Sequence, residues 1–193
     1  MDTRIREAAL KLFAMKGYEN TTMREIGNEV GIRGSSIYAH YKSKEEIFLS
    51  VVNDLFGKIM QKDVYPKSIA DKNNDLKSVL FKTFKNYYIF FSQHEEELLL
   101  WQRIRFFTPP GMEGKYDTNY LLYDRPIAEI YFELFEKGVN SKQLKIMDVG
   151  MLVMSFFSFI SGFTDSLIIV PFRLSEQQIH SCFEVFWDGI RQK

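Results

Sequence analysis

An all-α fold in two parts is what this sequence of 193 residues predicts. Apolar residues recur at helical spacing along most of the chain, and no run alternates in the manner of a strand. Several segments open with a Ser or Thr followed three residues later by Glu or Gln, the pattern of a capping box. The expected division is 1–46, a three-helix domain containing a helix-turn-helix, and 47–193, a larger helical domain.

Taken in order, Asp2 to Lys16 places Ile5, Ala8, Ala9, Leu12 and Phe13 on one helical face and stops at Gly17. Thr22 and Glu25 form a capping box that starts a second helix, with Ile26 and Val30 four residues apart on its buried face. Gly27 falls where the next segment must pass close, and Gly31 takes the left-handed conformation that ends the helix and turns the chain. Ile32 and Ile37 anchor the third helix, expected at about Arg33 to Tyr41. Ser43 and Glu46 open a fourth, running from Glu45 to about Lys62, and Pro66 marks a break. Leu76 to Phe91 and Glu95 to Phe107 read as helices, and TPPGMEG at 108–114 as a loop. Ile127 to Phe135 carries Ile130, Tyr131 and Leu134 in register and is expected to end near Gly138. Val149 to Val170 is a long apolar helix. After Pro171, Ser175 and Gln178 cap a final helix with Ile179, Phe183, Phe186, Trp187 and Ile190 on one side.

The third helix has the chemistry of a nucleic-acid reader. Between Arg33 and Lys44 there are three cations, Arg33, Lys42 and Lys44, no carboxylate, and the hydrogen-bonding side chains Ser35, Ser36, Tyr38 and His40. Such a surface approaches phosphates without repulsion. In a docked helix-turn-helix the first turn, Arg33 to Ser36, reads base edges, whereas Tyr38, His40 and Lys44 are placed for the backbone. Paired donors on Arg33 suit guanine O6 and N7, a contact contributing about 1–3 kcal/mol of discrimination.

With the first helix in place, AALKLFAMKGYENTTMREIGNEVGIRGSSIYAHYKSKEEIFLSVV resembles the N-terminal domain of the TetR family of bacterial transcriptional regulators. AALKLFAxKGYExTT, EIGxEVGI and IYxHYKSKEE occur in order at the family's spacing, over roughly residues 3–55. The resemblance implies phosphate contacts for Thr22, Tyr38 and Lys44, a hydroxyl at Ser36 in place of the usual threonine, and a histidine at His40 as in many relatives. Arg24 is grouped with these as a DNA-binding residue. Where relatives commonly run serine, lysine, glycine, this chain has Arg33, Gly34 and Ser35, so the recognition helix lacks its serine cap.

Composition narrows the field. Net charge is zero, so a DNA-binding case rests on where charges sit: residues 1–50 hold 8 Lys or Arg against 7 Asp or Glu. A single cysteine, Cys182, forms no internal disulfide, and MDTRIRE lacks an apolar signal segment; both point to the cytoplasm. Val149 to Val170 is long enough to cross a bilayer. It is interrupted by Ser155, Ser158, Ser161, Gly162, Thr164 and Asp165, and an aspartate near a helix centre costs about 2.5–3.5 kcal/mol on insertion scales. The expectation is a helix buried between its own domain and a partner, with no membrane.

Two helices this apolar need a cover, and pairing with a second copy gives a two-fold four-helix bundle. Phe156, Ile160, Phe163, Leu167, Ile179, Phe183, Phe186 and Trp187 are the expected dimer contacts. Two recognition helices so related read a palindromic operator in double-stranded DNA. Phe84, Tyr88, Trp101, Phe106, Tyr120, Tyr123 and Tyr131, with Asp165, combine apolar area and polar handles suited to a small apolar or aromatic effector, which the family binds in this domain. Asp165 either lines that pocket or bonds across the dimer. His94 with Glu95, Glu96 and Glu97 cannot converge on one metal from consecutive helical positions, and a solvated helix start is expected there. No catalytic motif and no cofactor motif is present, so no cofactor and no enzymatic role is expected. The reading is a ligand-responsive regulator, a repressor by expectation, acting as a homodimer released by its effector. The alternative is a nucleoid or cell-division factor of the same fold without an effector.

Overall fold

The computed structural model describes residues 1–61, 75–116, 125–170 and 172–193. Pro66 and Pro171, read above as breaks, and Tyr120 and Tyr123 of the expected effector pocket lie outside these residues. Among the described residues the helices are α1 (Asp2–Lys16), α2 (Met23–Val30), α3 (Gly34–Ile37), α4 (Lys44–Gln61), α5 (Leu76–Gln93), α6 (Glu95–Phe106), α7 (Arg125–Asn140), α8 (Val149–Ile169) and α9 (Glu176–Ile190). They form no strand, only an isolated bridge between Leu144 and Arg191.

Two compact units result, Met1–Lys58 with His94–Thr118, and Ile59–Gln93 with Asn119–Lys193. The first is larger than the 1–46 expected, because α6, distant in sequence, packs on α1. Local periodicity reports a helix's own faces and is silent on a neighbour ninety residues away.

In the first unit α1 buries Ile5, Ala8, Ala9, Leu10, Phe13 and Ala14, while Leu12 is half-buried. Phe13 and Tyr18 both meet the Phe48 ring edge-on, with centroids 5.3 and 5.0 Å away. Glu97 departs from the solvated start expected for α6. It is buried, and Lys58 Nζ lies 3.1 Å from both its carboxylate and that of Asp54. Burial would lower the Lys58 pKa, but hydrogen bonds to Asp54 and Glu97 outweigh it and hold the ammonium above its ordinary value.

In the second unit α5 packs on α7, α8 and α9, and α7 on α8. An aromatic core joins them. Phe84 lies against Phe159, Phe163 and Phe183, and Phe156 touches Tyr131, Phe135 and Phe186. As expected, α7 ends near Gly138, at Asn140. A Cβ on Gly138 would stand 2.5 Å from Leu76 Cδ2 and 2.8 Å from Leu144 Cδ1, so its missing side chain makes room for two leucines. The capping box of α9 forms as read, Ser175 Oγ accepting from Gln178 N–H and Gln178 Oε1 from Ser175 N–H.

The expected dimer contacts require correction. Phe156, Ile160, Leu167, Ile179, Phe183 and Trp187 are buried within the chain, and Phe163 and Phe186 are half-buried in the same aromatic core. These residues are the inner faces of α8 and α9. The outer face of α8 carries Met151, Met154, Ser155, Ser158 and Gly162, with Ile168 and Ile169 at its end, and that of α9 carries Ser181 and Val185, the latter 78% exposed. Apart from Asp165 both faces of α8 are built of apolar and small residues, so its sequence scarcely marks which one turns inward. By length and composition α8 could cross a membrane, but one face is packed into the unit.

Candidate nucleic-acid interface

The helix-turn-helix is built by short-range rules. Thr22 Oγ1 accepts from Glu25 N–H, and Glu25 returns its carboxylate to Thr22 N–H at 2.9 Å. Lys16 adds an ion pair at 2.8 Å. The hydrogen bond from Lys16, then those from Thr22, hold the Glu25 carboxyl down to about 2. Gly31 closes α2 at φ 78, in the left-handed region, and Arg4 Nη2 donates to Val30 O at 3.1 Å, covering a terminal carbonyl. A Cβ on Gly27 would lie 3.0 Å from Ile32 O and 3.1 Å from Gly34 Cα, so the turn passes as closely as the sequence implied.

The recognition helix is shorter than 33–41. One α-turn, Gly34–Ile37, is followed by tight turns in which His40 N–H reaches Ile37 O at 2.8 Å and Tyr41 N–H the same carbonyl at 2.9 Å. Arg33 at the N-cap makes no side-chain capping bond. An uncapped start followed by glycine, two serines and a β-branched isoleucine is a weak helix former throughout. Ile37 is fully buried and pins the segment to the domain.

Of the eight residues assigned to DNA, seven are exposed: Thr22, Arg24, Arg33, Ser35, Ser36, Tyr38 and His40. Tyr38 turns 58% of its surface outward, an unusual position for a phenol with no packing role there. Among the described residues Arg24, Arg33 and Lys42 make no ion pair, so their charge stays available to an anion. Thr22 is less available than expected, since its hydroxyl also donates to Glu25 at 2.9 Å.

Lys44 departs from its expected role. Its ammonium donates to Tyr18 O at 2.8 Å and sits 4.1 Å from the Tyr18 ring centroid, which ties the start of α4 to the turn after α1. One contribution was missed. Asp2 Oδ1 lies 2.6 Å from His40 Nδ1, so a carboxylate from the start of α1 joins a face whose own sequence has none, and Nε2 is the ring nitrogen left for a phosphate. A contact across thirty-eight residues leaves no signal in local spacing.

The expected effector residues that are described divide between the two units. Trp101 and Phe106 belong to the first unit, where Trp101 is buried edge-on to Phe56 and Phe106 is exposed. Phe84, Tyr88, Tyr131 and Asp165 belong to the second. There the Tyr88 hydroxyl accepts Leu174 N–H at 2.9 Å and the buried Tyr131 hydroxyl is 2.9 Å from that of Thr83, so both polar handles are used within the chain. Burial, offset in part by the Thr83 bond, pushes the Tyr131 phenol well above its ordinary range. Helical spacing sets half-buried Asp165 on the outer face of α8 with Ser158 and Gly162.

Comparison with known proteins agrees with this geometry. Residues 5–51 match the family profile described as bacterial regulatory proteins, tetR family. The IcaR negative transcriptional regulator of the icaADBC biofilm operon from Staphylococcus epidermidis is 41% identical over 57 residues, 30% of this chain and 31% of that protein. The KstR2 transcriptional repressor of Rhodococcus jostii is 42% identical over 60 residues, 29% of each. The alignments thus span less than a third of the length of these relatives. Over the whole chain the fold is that of the ketosteroid transcriptional regulator KstR2 of Mycobacterium tuberculosis, with a TM-score of 0.73 at 19% identity, covering 100% of this chain and 95% of that one. A transcriptional regulator from Saccharomonospora viridis, solved in complex with choline, gives 0.69 at 17% identity, covering 100% and 98%. Residues 5–51 thus match the helix-turn-helix domain of the TetR family of bacterial transcriptional regulators, and that domain stands on a fold shared along the full length with these solved transcriptional regulators.

Proposed function

We propose that the protein is a cytoplasmic transcriptional repressor that binds a palindromic operator as a homodimer and is released by a small apolar or aromatic effector. The observation that carries the reading is the exposed face of α2 and α3, where Arg24, Arg33, Ser35, Ser36 and Tyr38 stand together without an internal charge partner for either arginine. Arg33 and Ser35 read base edges; Tyr38 and His40 Nε2 meet phosphates; Ser36 serves either. The α2 capping box holds this face in place, and Lys44 acts by fixing the turn before α2.

The homodimer assembles through the outer faces of α8 and α9. Ser155, Ser158 and Gly162 allow the helix of a second copy to approach closely, with Met151, Met154 and Ile169 supplying apolar area at either end. The test is selection of sites from random duplex DNA by the purified protein, with Tyr38→Ala as the control. Enrichment of an inverted repeat by the native protein alone is expected, and failure of folded protein to enrich any sequence would overturn the reading.

A second reading keeps the dimeric DNA reader but removes the effector, as in a nucleoid or cell-division factor. It is favoured by the commitment of the Tyr88 and Tyr131 hydroxyls inside the second unit. Titrating apolar and aromatic compounds against the operator complex separates the two, because only the first expects release.

A further inference from the structure

Within the first unit a cleft of about 220 Å³ opens between the end of α1, the turn after it, α4, α6 and the chain following α6. Tyr18, Phe48, Leu100, Ile104 and Phe107 give it apolar walls. A sealed apolar cavity of about 150 Å³ suffices for benzene, so this one has room for a ring and a substituent. Arg103 supplies its most distinctive group. The side chain leaves α6 and donates Nε to Ala14 O at 2.8 Å and Nη2 to Met15 O at 2.9 Å. Its remaining nitrogen, Nη1, lies 3.4 Å from where a Gly17 Cβ would stand, within the lining. Both acceptors are neutral carbonyls, and among the described residues no carboxylate pairs with this guanidinium. The other charges at the cleft are Lys16, paired with Glu25, and exposed Glu19.

We propose that this cleft binds a small aromatic carboxylate, its ring against the walls formed by Tyr18, Phe48 and Ile104 and its carboxylate on Arg103 Nη1. An unneutralised guanidinium at the edge of an aromatic slot selects an anion over its neutral analogue, since a charge-assisted hydrogen bond is about twice as strong as a neutral one. The site stands in the unit that carries the helix-turn-helix, and no residue of the second unit lines it. Its wall from Gly17 to Asn20 is the turn that leads into α2, so occupancy stiffens the approach to the reading face.

The test uses the full-length protein and two probes, 2-naphthoate and the uncharged 2-naphthamide, followed by NMR. Saturable shifts at Tyr18, Asn20 and Ile104 are expected with naphthoate at a Kd below about 1 mM, with naphthamide about tenfold weaker. Arg103→Gln should remove that preference. Asn20→Trp, at the exposed rim, should block both probes in a folded protein. Absence of saturable shifts at these residues, equal binding of acid and amide, or an undiminished preference in Arg103→Gln would each overturn the assignment. Because binding is read at the cleft itself, such a failure leaves the DNA-binding reading to its own test by site selection.

Discussion

The two units expose faces of opposite character. Around α2 and α3 the outward residues are chiefly cations, hydroxyls and one phenol, with Asn28 and the Lys11-paired Glu29 beside them, mounted on a domain held by a capping box, a left-handed glycine and a buried isoleucine. On α8 the outward residues are mainly serine, glycine, methionine and isoleucine, scarcely more polar than the face turned inward apart from half-buried Asp165, and α9 adds Ser181 and Val185 beside the polar Gln177, His180 and Asp188. A face meant for a highly charged polymer must differ chemically from a protein core. A face meant for a copy of itself need not, and it betrays itself only through small residues that permit close approach.

The strongest way to break that contrast is to charge the second face. Ser158→Arg should leave a folded protein that sediments as a monomer, and its affinity for an inverted repeat should fall by roughly 100-fold as the two half-sites lose their linkage. An unchanged dimer would move the interface elsewhere. Next in size are two glycines that serve different purposes. At Gly27 an added methyl meets backbone atoms that have nowhere to go, so Gly27→Ala should cost about 1–3 kcal/mol in denaturant unfolding. At Gly138 it meets leucine side chains that swing aside, and gained helix propensity offsets the strain to within about 1 kcal/mol.

Smaller effects sharpen the reading face. Arg33→Ala should change the preferred base at one position of the selected site, by about 1–3 kcal/mol of discrimination, whereas Tyr38→Phe should weaken every sequence alike, by about 1 kcal/mol. A uniform loss in Arg33→Ala would demote that arginine to a phosphate contact. The smallest effect concerns acid. Glu25 is depressed in the folded state from an ordinary value of 4.5 to about 2, so its support for the fold is complete above the ordinary value and disappears as pH falls towards 2. Glu25→Gln should therefore flatten the stability profile in that window and leave its shape near neutrality alone.

What could be read from residues alone follows the same division. Thr22 with Glu25, Gly31 and Ser175 with Gln178 act within a few positions of themselves, so their roles in the folded chain match their spacing. The packing of α6 on α1, the Asp2–His40 pair and the Lys58–Glu97 pair join distant segments and were not legible. For α8 the difficulty was different in kind. Phe156 and Ser158 both belong to an apolar helix, and only the position of α5 and α7 decides that the phenylalanine turns in and the serine out. Chemical type, the only mark of the effector residues, carries no information on which unit holds Trp101 and which holds Tyr131.

A recognition element of one α-turn, begun without a side-chain cap, has a thermodynamic signature. Part of its order is supplied by the groove it enters, so operator binding by this chain should release more heat, lose more entropy and show a larger negative heat-capacity change than rigid docking of the same contacts. Calorimetry over a range of temperatures would read that signature directly.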